Sequence, residues 1–416
     1  MKKLFLLGLC FMAVAGASAQ KSLVKEVEGK SKGFDADFAK ARTQLAPALT
    51  DAESKNDAQT WYVAGTIEFG DYDSQLGKKA VGQSVDDKAM GESLVKGYEY
   101  FMTAFPLDTI PEVDKTGAPK LNKDGSVKVK TKYSKDMAKK LAAHYNDYAS
   151  GGQFLWEAQD YPGAYKAWSI YTSLPENPSL GKEAPKAAPD SIVGQIYYFQ
   201  GLAAWQAEKL DDAIASFRSA IKLGYTDQAV YDYAIGVAAQ KQDEAMIVDF
   251  ANEANKVFGD STTKYLTIII NDKINHEKYD EAMSLLEQAI SVSPDNAELY
   301  DVRGILYQSQ KKNDEAQADF EKAVSLNPEY IKAKLDLGRV LYAKAVAIEE
   351  GAGSLETSAY NQLREEKIDP LLKQAIPYLE AALDNEQTEG DARRLLRSIY
   401  YTLDDATNLK RIESGM

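Results

Sequence analysis

The chain has 416 residues, of which 44% are hydrophobic, so it can bury enough apolar surface to fold and is not expected to be disordered. Its 49 basic and 63 acidic residues give a formal net charge of −14. That charge repels polyanions, which argues against nucleic acid as a partner. After residue 20, no apolar run is long enough to cross a bilayer, so we expect no transmembrane segment.

The first residues have the pattern of a secretory signal peptide. Lys2 and Lys3 precede an apolar run over residues 4–14, and Ala-Ser-Ala at residues 17–19 fits a cleavage site. We predict a signal peptide over residues 1–19, cleaved after Ala19, and a mature chain that is periplasmic or secreted. Cys10 lies inside this segment, so the mature chain would offer no thiol to a metal or a disulfide.

The region after the signal peptide is predicted to be helical, with one exception. Residues 38–52 have the pattern of a capping helix, and Trp61 and Gly65 begin a helical pair with an insertion of about 20 residues around 70–89. In residues 126–133, apolar or β-branched residues alternate with lysine directly after an Asp-Gly pair, which is typical of a β-hairpin. Its three lysines form either a solvated strand edge or a contact for an acidic partner.

The strongest pattern in the chain is a repeat with a period of 34 residues. An Asp-Glu-Ala triplet, a large apolar residue, an alanine and a proline occur at positions 280–282, 286, 289 and 294, and again at 314–316, 320, 323 and 328. This period is typical of helix–turn–helix units that stack on their neighbours. We expect a carboxylate of each triplet, such as Asp314, to cap the second helix of its unit.

The unit over residues 297–330 resembles the tetratricopeptide repeat (TPR), and it matches that pattern at Tyr300, Gly304, Tyr307, Ala316, Phe320, Ala323 and Pro328. Units of lower regularity follow between residues 34 and 413. The resemblance implies an all-α fold, a right-handed TPR-type α-solenoid of helix–turn–helix repeats with one small β-hairpin insertion. The structural repeat positions are Gly65, Gly152, Gly201, Gly304, Gly338, Ala164, Ala213, Ala282, Ala316, Ala375, Phe217, Phe320, Pro294 and Pro328.

The resemblance also divides the chain into segments. They are the signal peptide, 1–19; a cap helix and a divergent TPR with an insertion, 20–108; the hairpin insertion and a lead-in helix, 109–144; a TPR and a Pro-rich connector, 145–193; four consecutive TPRs, 194–330; a TPR with a helical insertion of about 25 residues, 331–386; and C-terminal capping helices, 387–416.

Catalytic chemistry finds little support in the sequence. The two histidines, His144 and His276, have no second histidine at metal-ligand spacing, and we expect both at the surface. Most paired carboxylates stand where a second helix begins, which explains them as caps. No Gly-rich phosphate loop is present. We therefore expect no enzymatic activity, no cofactor and no metal.

A partner would bind where first helices line the inner surface of a TPR superhelix. The resemblance places candidate groove residues at Tyr62, Trp156, Tyr198, Trp205, Arg339 and Tyr342. Large aromatic side chains and arginine are common binding anchors. The same aromatic residues would also serve as packing between repeats, and both interpretations stay open.

The array also resembles TPR proteins of the Gram-negative bacterial envelope, which implies a periplasmic interaction scaffold whose partner is a protein or peptide. Two alternatives stay open: a module that binds an envelope glycan through stacked aromatic rings, and an outer-membrane assembly factor. Peripheral association with the envelope is compatible with each of them.

Overall fold

The computed structural model describes residues 20–31, 33, 36–259 and 261–414, so the predicted signal peptide lies outside the described residues. The predicted fold class is confirmed: antiparallel α-helices pack in consecutive pairs, with one small β-element between them. The chain divides into two compact units, Met1–Asp243 and Glu244–Met416. This division falls within the predicted run of repeats over 194–330.

The first unit pairs α3 with α4, α6 with α7 and α8 with α9, and each pair packs on the next. Its elements are α1 (residues 20–30), α2 (Phe38–Thr50), α3 (Ala58–Ala80), α4 (Asp87–Ala104), β1 (Ile110–Pro111), β2 (Val129–Lys130), α5 (Ser134–Ala143), α6 (Asp147–Glu157), α7 (Tyr161–Ser173), α8 (Asp190–Gln206), α9 (Leu210–Lys222) and α10 (Gln228–Gln240).

The second unit pairs α12 with α13, α14 with α15 and α16 with α18. The predicted insertion lies in the end of α16, in α17 and in a short π-helix over Arg364–Ile368. Its elements are α11 (Glu244–Phe258), α12 (Lys264–Asn275), α13 (Tyr279–Val292), α14 (Ala297–Ser309), α15 (Asn313–Leu326), α16 (Ile331–Gly351), α17 (Thr357–Leu363), α18 (Asp369–Ala381), α19 (Glu389–Thr402) and α20 (Ala406–Glu413).

Glycines of first helices receive a large side chain from the second helix of the same pair. A Cβ atom added at Gly201 would lie 2.5 Å from the Phe217 ring, and one added at Gly304 would lie 2.6 Å from the Phe320 ring. Both rings are fully buried. The same contact joins Gly65 to Phe101, Gly152 to Trp168 and Gly338 to Leu379. The fully buried alanines of the second helices are Ala164, Ala213, Ala282, Ala316 and Ala375.

The turns inside the helical pairs share a backbone conformation that their residue types do not indicate. Two residues after the first helix ends, a residue other than glycine has φ between 57° and 60°. After it, the chain closes a helix-end motif; the N–H of Lys312, for example, donates to the carbonyl of Tyr307 at 2.9 Å. The residues in this left-handed conformation are Gln159, Glu208, Gln242, Glu277, Lys311 and Asp404.

The prediction that Asp314 caps its helix is wrong. The cap position of α15 is Lys312, which makes no side-chain cap hydrogen bond, and Asp314 is the second residue of the helix. Asp211 and Asp280 occupy the same place in α9 and α13. The carboxylates still lie at the positive end of the helix dipole. Asp314 also pairs with Lys344 of α16, at 2.6 Å, and so links its pair to the next helix.

Two groups of prolines lie between helices: those that follow second helices and those of the connector. Pro294 and Pro328 are exposed and lie in the turns that follow α13 and α15. The Pro-rich connector forms two 3₁₀ turns, Leu174–Glu176 and Pro178–Glu183, and the second turn packs against α5 through buried Leu180. The connector is therefore an ordered part of the first unit.

Candidate interaction surface

Three of the six predicted groove residues lie in one continuous series of aromatic contacts in the first unit. Trp156 of α6 lies 6.2 Å, between ring centroids, from Trp168, which lies 5.7 Å from Phe199. Phe199 lies beside Tyr198 of α8. From Tyr198 the series continues through Tyr233 of α10, at 6.2 Å, to Trp205, at 5.6 Å from Tyr233. We call this series the aromatic ladder; its members are Trp156, Trp168, Tyr198, Phe199, Trp205 and Tyr233.

The ladder is both packed and accessible. Trp168 is buried, whereas the other five members are half-buried. The Trp205 indole N–H donates to the Gln240 side-chain oxygen at 2.8 Å, which holds the ring in place. Burial, followed by the neighbouring Tyr233 and Tyr225, raises the pKa of Tyr198 to about 12. These rings join neighbouring helices, and the five half-buried ones also leave part of their surface exposed to solvent.

Tyr62 lies apart from the ladder. Its ring stacks on Tyr133 at 4.5 Å, and its hydroxyl donates to the Asp136 carboxylate at 2.8 Å. Tyr62 therefore ties α3 to the start of α5. The structure does not bring it into contact with Trp156, Tyr198 or Trp205.

Arg339 and Tyr342 belong to the second unit. Tyr342 is half-buried against the core that α16 shares with α18 and α19. Arg339 pairs with Asp336 on its own helix and with Asp391 of α19, at 3.2 Å. Its guanidinium is thus engaged by carboxylates of its own chain.

Asp301 is a buried charged residue next to Arg339's network that sequence reasoning missed. One carboxylate oxygen of Asp301 accepts hydrogen bonds from Lys332 Nζ at 2.5 Å and from the Tyr330 hydroxyl at 3.1 Å. Lys332 also donates to Asp336 at 2.9 Å, and the other oxygen of Asp301 has no hydrogen-bond partner. A signal existed, because Asp301 lies on the first helix of the most regular repeat, and first helices are where the sequence placed the candidate groove residues.

Burial sets the charge behaviour of this group. It raises the pKa of the fully buried Asp301, and the hydrogen bond from Lys332 offsets this only in part. Burial also lowers the pKa of Lys332, but the hydrogen bonds and charges of Asp301 and Asp336 outweigh it, so that pKa is raised on balance. The group therefore keeps a firmly protonated lysine between two carboxylates.

The two histidines differ in environment. His276 is exposed, as predicted. The prediction that His144 is a surface residue is wrong: it is buried, stacked on Phe69 at 4.8 Å, with Nδ1 2.8 Å from an Asp147 oxygen. Phe69 and Tyr72 of α3, a helix of 23 residues, supply the aromatic surface that covers it. In the described part of the chain, no three histidine, cysteine or carboxylate side chains are grouped to hold a metal.

Comparison with known proteins identifies the repeat. The tetratricopeptide repeat models match residues 194–223 and 297–330, so the chain contains TPRs, which generally mediate protein–protein interactions. No curated protein matches the chain. Among its described residues, no helix has the length and apolar character needed to cross a membrane.

Solved structures that resemble part of this chain cover about half of it. PilF of Pseudomonas aeruginosa is 15% identical, covers 54% of this chain and 90% of its own, and has a TM-score of 0.38. PilW, a type IV pilus biogenesis factor, is 16% identical, with 54% and 91% coverage and a TM-score of 0.36. MamA of Desulfovibrio magneticus is 14% identical, with 46% and 97% coverage and a TM-score of 0.33. None of these likenesses assigns a partner to this chain.

Proposed function

We propose that this protein is a non-enzymatic periplasmic scaffold that binds a partner protein or peptide through first-helix residues of its repeats. The observation that carries the proposal is the aromatic ladder, which brings Trp156, Tyr198 and Trp205 into one series over four helices. Tryptophan and tyrosine supply much of the binding energy at protein interfaces. Rings already held by neighbours lose little conformational entropy when a ligand covers them.

The periplasmic part of the proposal rests on the sequence of residues 1–19. Expression with an intact N-terminus in a Gram-negative host should yield a soluble periplasmic protein whose first residue is Gln20. Mass spectrometry of the intact purified protein measures this. Recovery of the unprocessed chain from the cytoplasm would contradict the export of the protein.

The binding part is tested by photocrosslinking in cells. A photoreactive amino acid at Leu202, a half-buried residue between the ladder residues Tyr198 and Trp205 on α8, should capture a defined partner. The same group at Lys373, an exposed residue of α18, should not. Capture should fall in Trp205→Ala, while Trp61→Ala, a change at a half-buried tryptophan outside the ladder, should leave it unaltered.

The glycan alternative predicts a different result. Tryptophan fluorescence would then shift when soluble envelope glycan is added, and no protein would crosslink at Leu202. That combination would overturn the scaffold proposal. Far-ultraviolet circular dichroism of each variant separates loss of binding from loss of folding.

A further inference from the structure

The insertion between α4 and α5 is a small three-stranded element, which we call the prong (residues 109–132). β1 pairs with β2 in antiparallel register, and isolated bridges join each of them to a third segment between them. Three backbone hydrogen bonds form a ring: Glu112 N–H donates to Lys128 at 2.7 Å, Lys128 to Lys120 at 2.7 Å, and Lys120 to Glu112 at 2.8 Å. Each segment therefore pairs with both of the others.

The register gives the prong one charged face and one apolar face, because side chains alternate along a strand. On the charged face, Glu112 lies 3.1 Å from Lys128 Nζ and 3.7 Å from Lys120 Nζ. The residues that directly precede and follow Glu112, Lys120 and Lys128 in sequence point to the opposite face, and they form the cross-strand pairs. The apolar face consists of Pro111 paired with Val129, Val113 with Pro119, and Leu121 with Val127.

The apolar face is open to solvent. The exposed fraction is 62% for Leu121, 52% for Val113, 44% for Val129 and 43% for Val127. Exposed clusters of large aliphatic residues mark sites of interaction with a protein or a membrane.

The prong is held at its base and at its turns, so the apolar face is preformed. The buried Asp108 carboxylate accepts hydrogen bonds from the backbone N–H groups of Lys132, Tyr133 and Ser134, at 2.7–3.1 Å. At the two turns, Asp114 and Asp124 accept backbone N–H groups in the same way.

The charge of the prong is opposite to that of the chain. Residues 109–132 contain six lysines and three carboxylates, an excess of three positive charges on a chain whose net charge is −14. An anionic surface would attract the prong and repel the rest of the chain, which would orient the protein with the prong foremost.

We propose that the prong docks the protein on an anionic lipid surface. Its apolar face enters the headgroup region, while the lysines of its two turns, Lys115 and Lys123, contact lipid phosphates. Its composition favours lipid over a protein partner, since protein interfaces are enriched in aromatic residues and arginine and depleted in lysine, and residues 109–132 contain lysine but neither of the others. Two copies of the prong carry the same excess of three positive charges, and their mutual repulsion disfavours a second copy as the occupant.

Sedimentation with vesicles tests this proposal on the whole mature chain. Binding is expected to phosphatidylcholine vesicles that contain phosphatidylglycerol, to weaken as salt is added, and to be absent with phosphatidylcholine alone. Lys115→Glu with Lys123→Glu should lower the partition coefficient by roughly tenfold or more, since each lysine near such a surface contributes about 1 kcal/mol. The matched control is Lys182→Glu with Lys186→Glu, which makes the same charge change at exposed connector residues.

A second variant guards against local misfolding. Because Asp108 bonds the backbone of Lys132, the ends of the prong are adjacent, and a short Gly-Ser linker can replace residues 110–131. This variant should keep the helical circular dichroism signal and lose vesicle binding. Equal binding to neutral vesicles, undiminished binding without the prong, or no binding by the wild type would each overturn the proposal, as would prong-dependent capture of an acidic protein without vesicle binding.

The outcome is separable from that of the scaffold proposal. Trp205→Ala should bind vesicles like the wild type. The chain without the prong should still crosslink its partner at Leu202.

Discussion

Each of the two units of the chain has a distinctive contact between neighbouring helical pairs. In the first unit, neighbouring pairs meet through aromatic rings, as in the ladder from Trp156 to Trp205. In the second unit, α14 and α16 meet through Asp301, Lys332 and Asp336. Pairs in both units nevertheless share one internal contact, a glycine that receives a large side chain, as at Gly201 and Gly304. The repeat pattern therefore fixes how a pair is built, and it leaves open how pairs are joined.

The largest expected effect concerns the contact between a glycine and a large side chain, which occurs inside pairs of both units. Phe217→Ala and Phe320→Ala should each lower the free energy of unfolding by about 3–5 kcal/mol, because each leaves a cavity beside a glycine in a buried core. Urea unfolding followed by circular dichroism measures both. A loss below about 1 kcal/mol in one of them would show that its pair collapses onto the cavity.

A smaller effect should appear in the second unit alone. Lys332→Met removes a cation that two buried carboxylates share and should cost about 1–3 kcal/mol at neutral pH. Amide hydrogen exchange in α14 and α16 should become faster. Tryptophan fluorescence should change little, because all four tryptophans lie in the first unit. Lys373→Met, at an exposed lysine of α18, is the control and should have little effect. An equal loss of unfolding free energy in Lys332→Met and Lys373→Met would contradict a stabilising role of the ion pairs that Lys332 makes with Asp301 and Asp336.

The pH dependence of the second unit should follow Asp301. Burial raises the pKa of this carboxyl above its ordinary value of 3.8, so the folded state holds the proton more tightly than the unfolded state. The stability from that proton is present below pH 3.8 and is lost as the pH rises through the raised pKa. Asp301→Asn lacks this loss, so its stability relative to the wild type should increase with pH in that window, by less than about 1.4 kcal/mol per pH unit. A pH-independent difference, measured by urea unfolding, would contradict the assignment.

The smallest effect should be the same in both units. Glu208→Gly and Lys311→Gly replace residues whose φ is 60°, a conformation that glycine adopts without steric cost. Each should raise the free energy of unfolding by roughly 0.5–1 kcal/mol. Thermal unfolding is the measurement, with Lys373→Gly inside α18 as a control that should be destabilised. Unequal gains at Glu208 and Lys311 would show that the two turns are not equivalent.

The sequence predicts the fold well because the repeat is periodic. Spacing alone places small residues such as Gly304 against large ones such as Phe320. The sequence does not indicate most of the turns inside helical pairs, because glutamine, glutamate and lysine do not favour a left-handed backbone. In the repeat over residues 297–330, Lys311 adopts that backbone and Lys312, not Asp314, takes the cap position. At the candidate surface, spacing indicates which residues lie on first helices, but the ladder depends on contacts between pairs.

The closed pairing of the prong has a consequence for the aggregation of the protein at high concentration. Exposed valine and leucine on an open strand would invite a second chain to extend the sheet, the first step towards fibres. Here the hydrogen-bond ring through Glu112, Lys120 and Lys128 gives every segment a neighbour on both sides. The prong can therefore expose an apolar face without exposing an unpaired strand edge to which further copies could add.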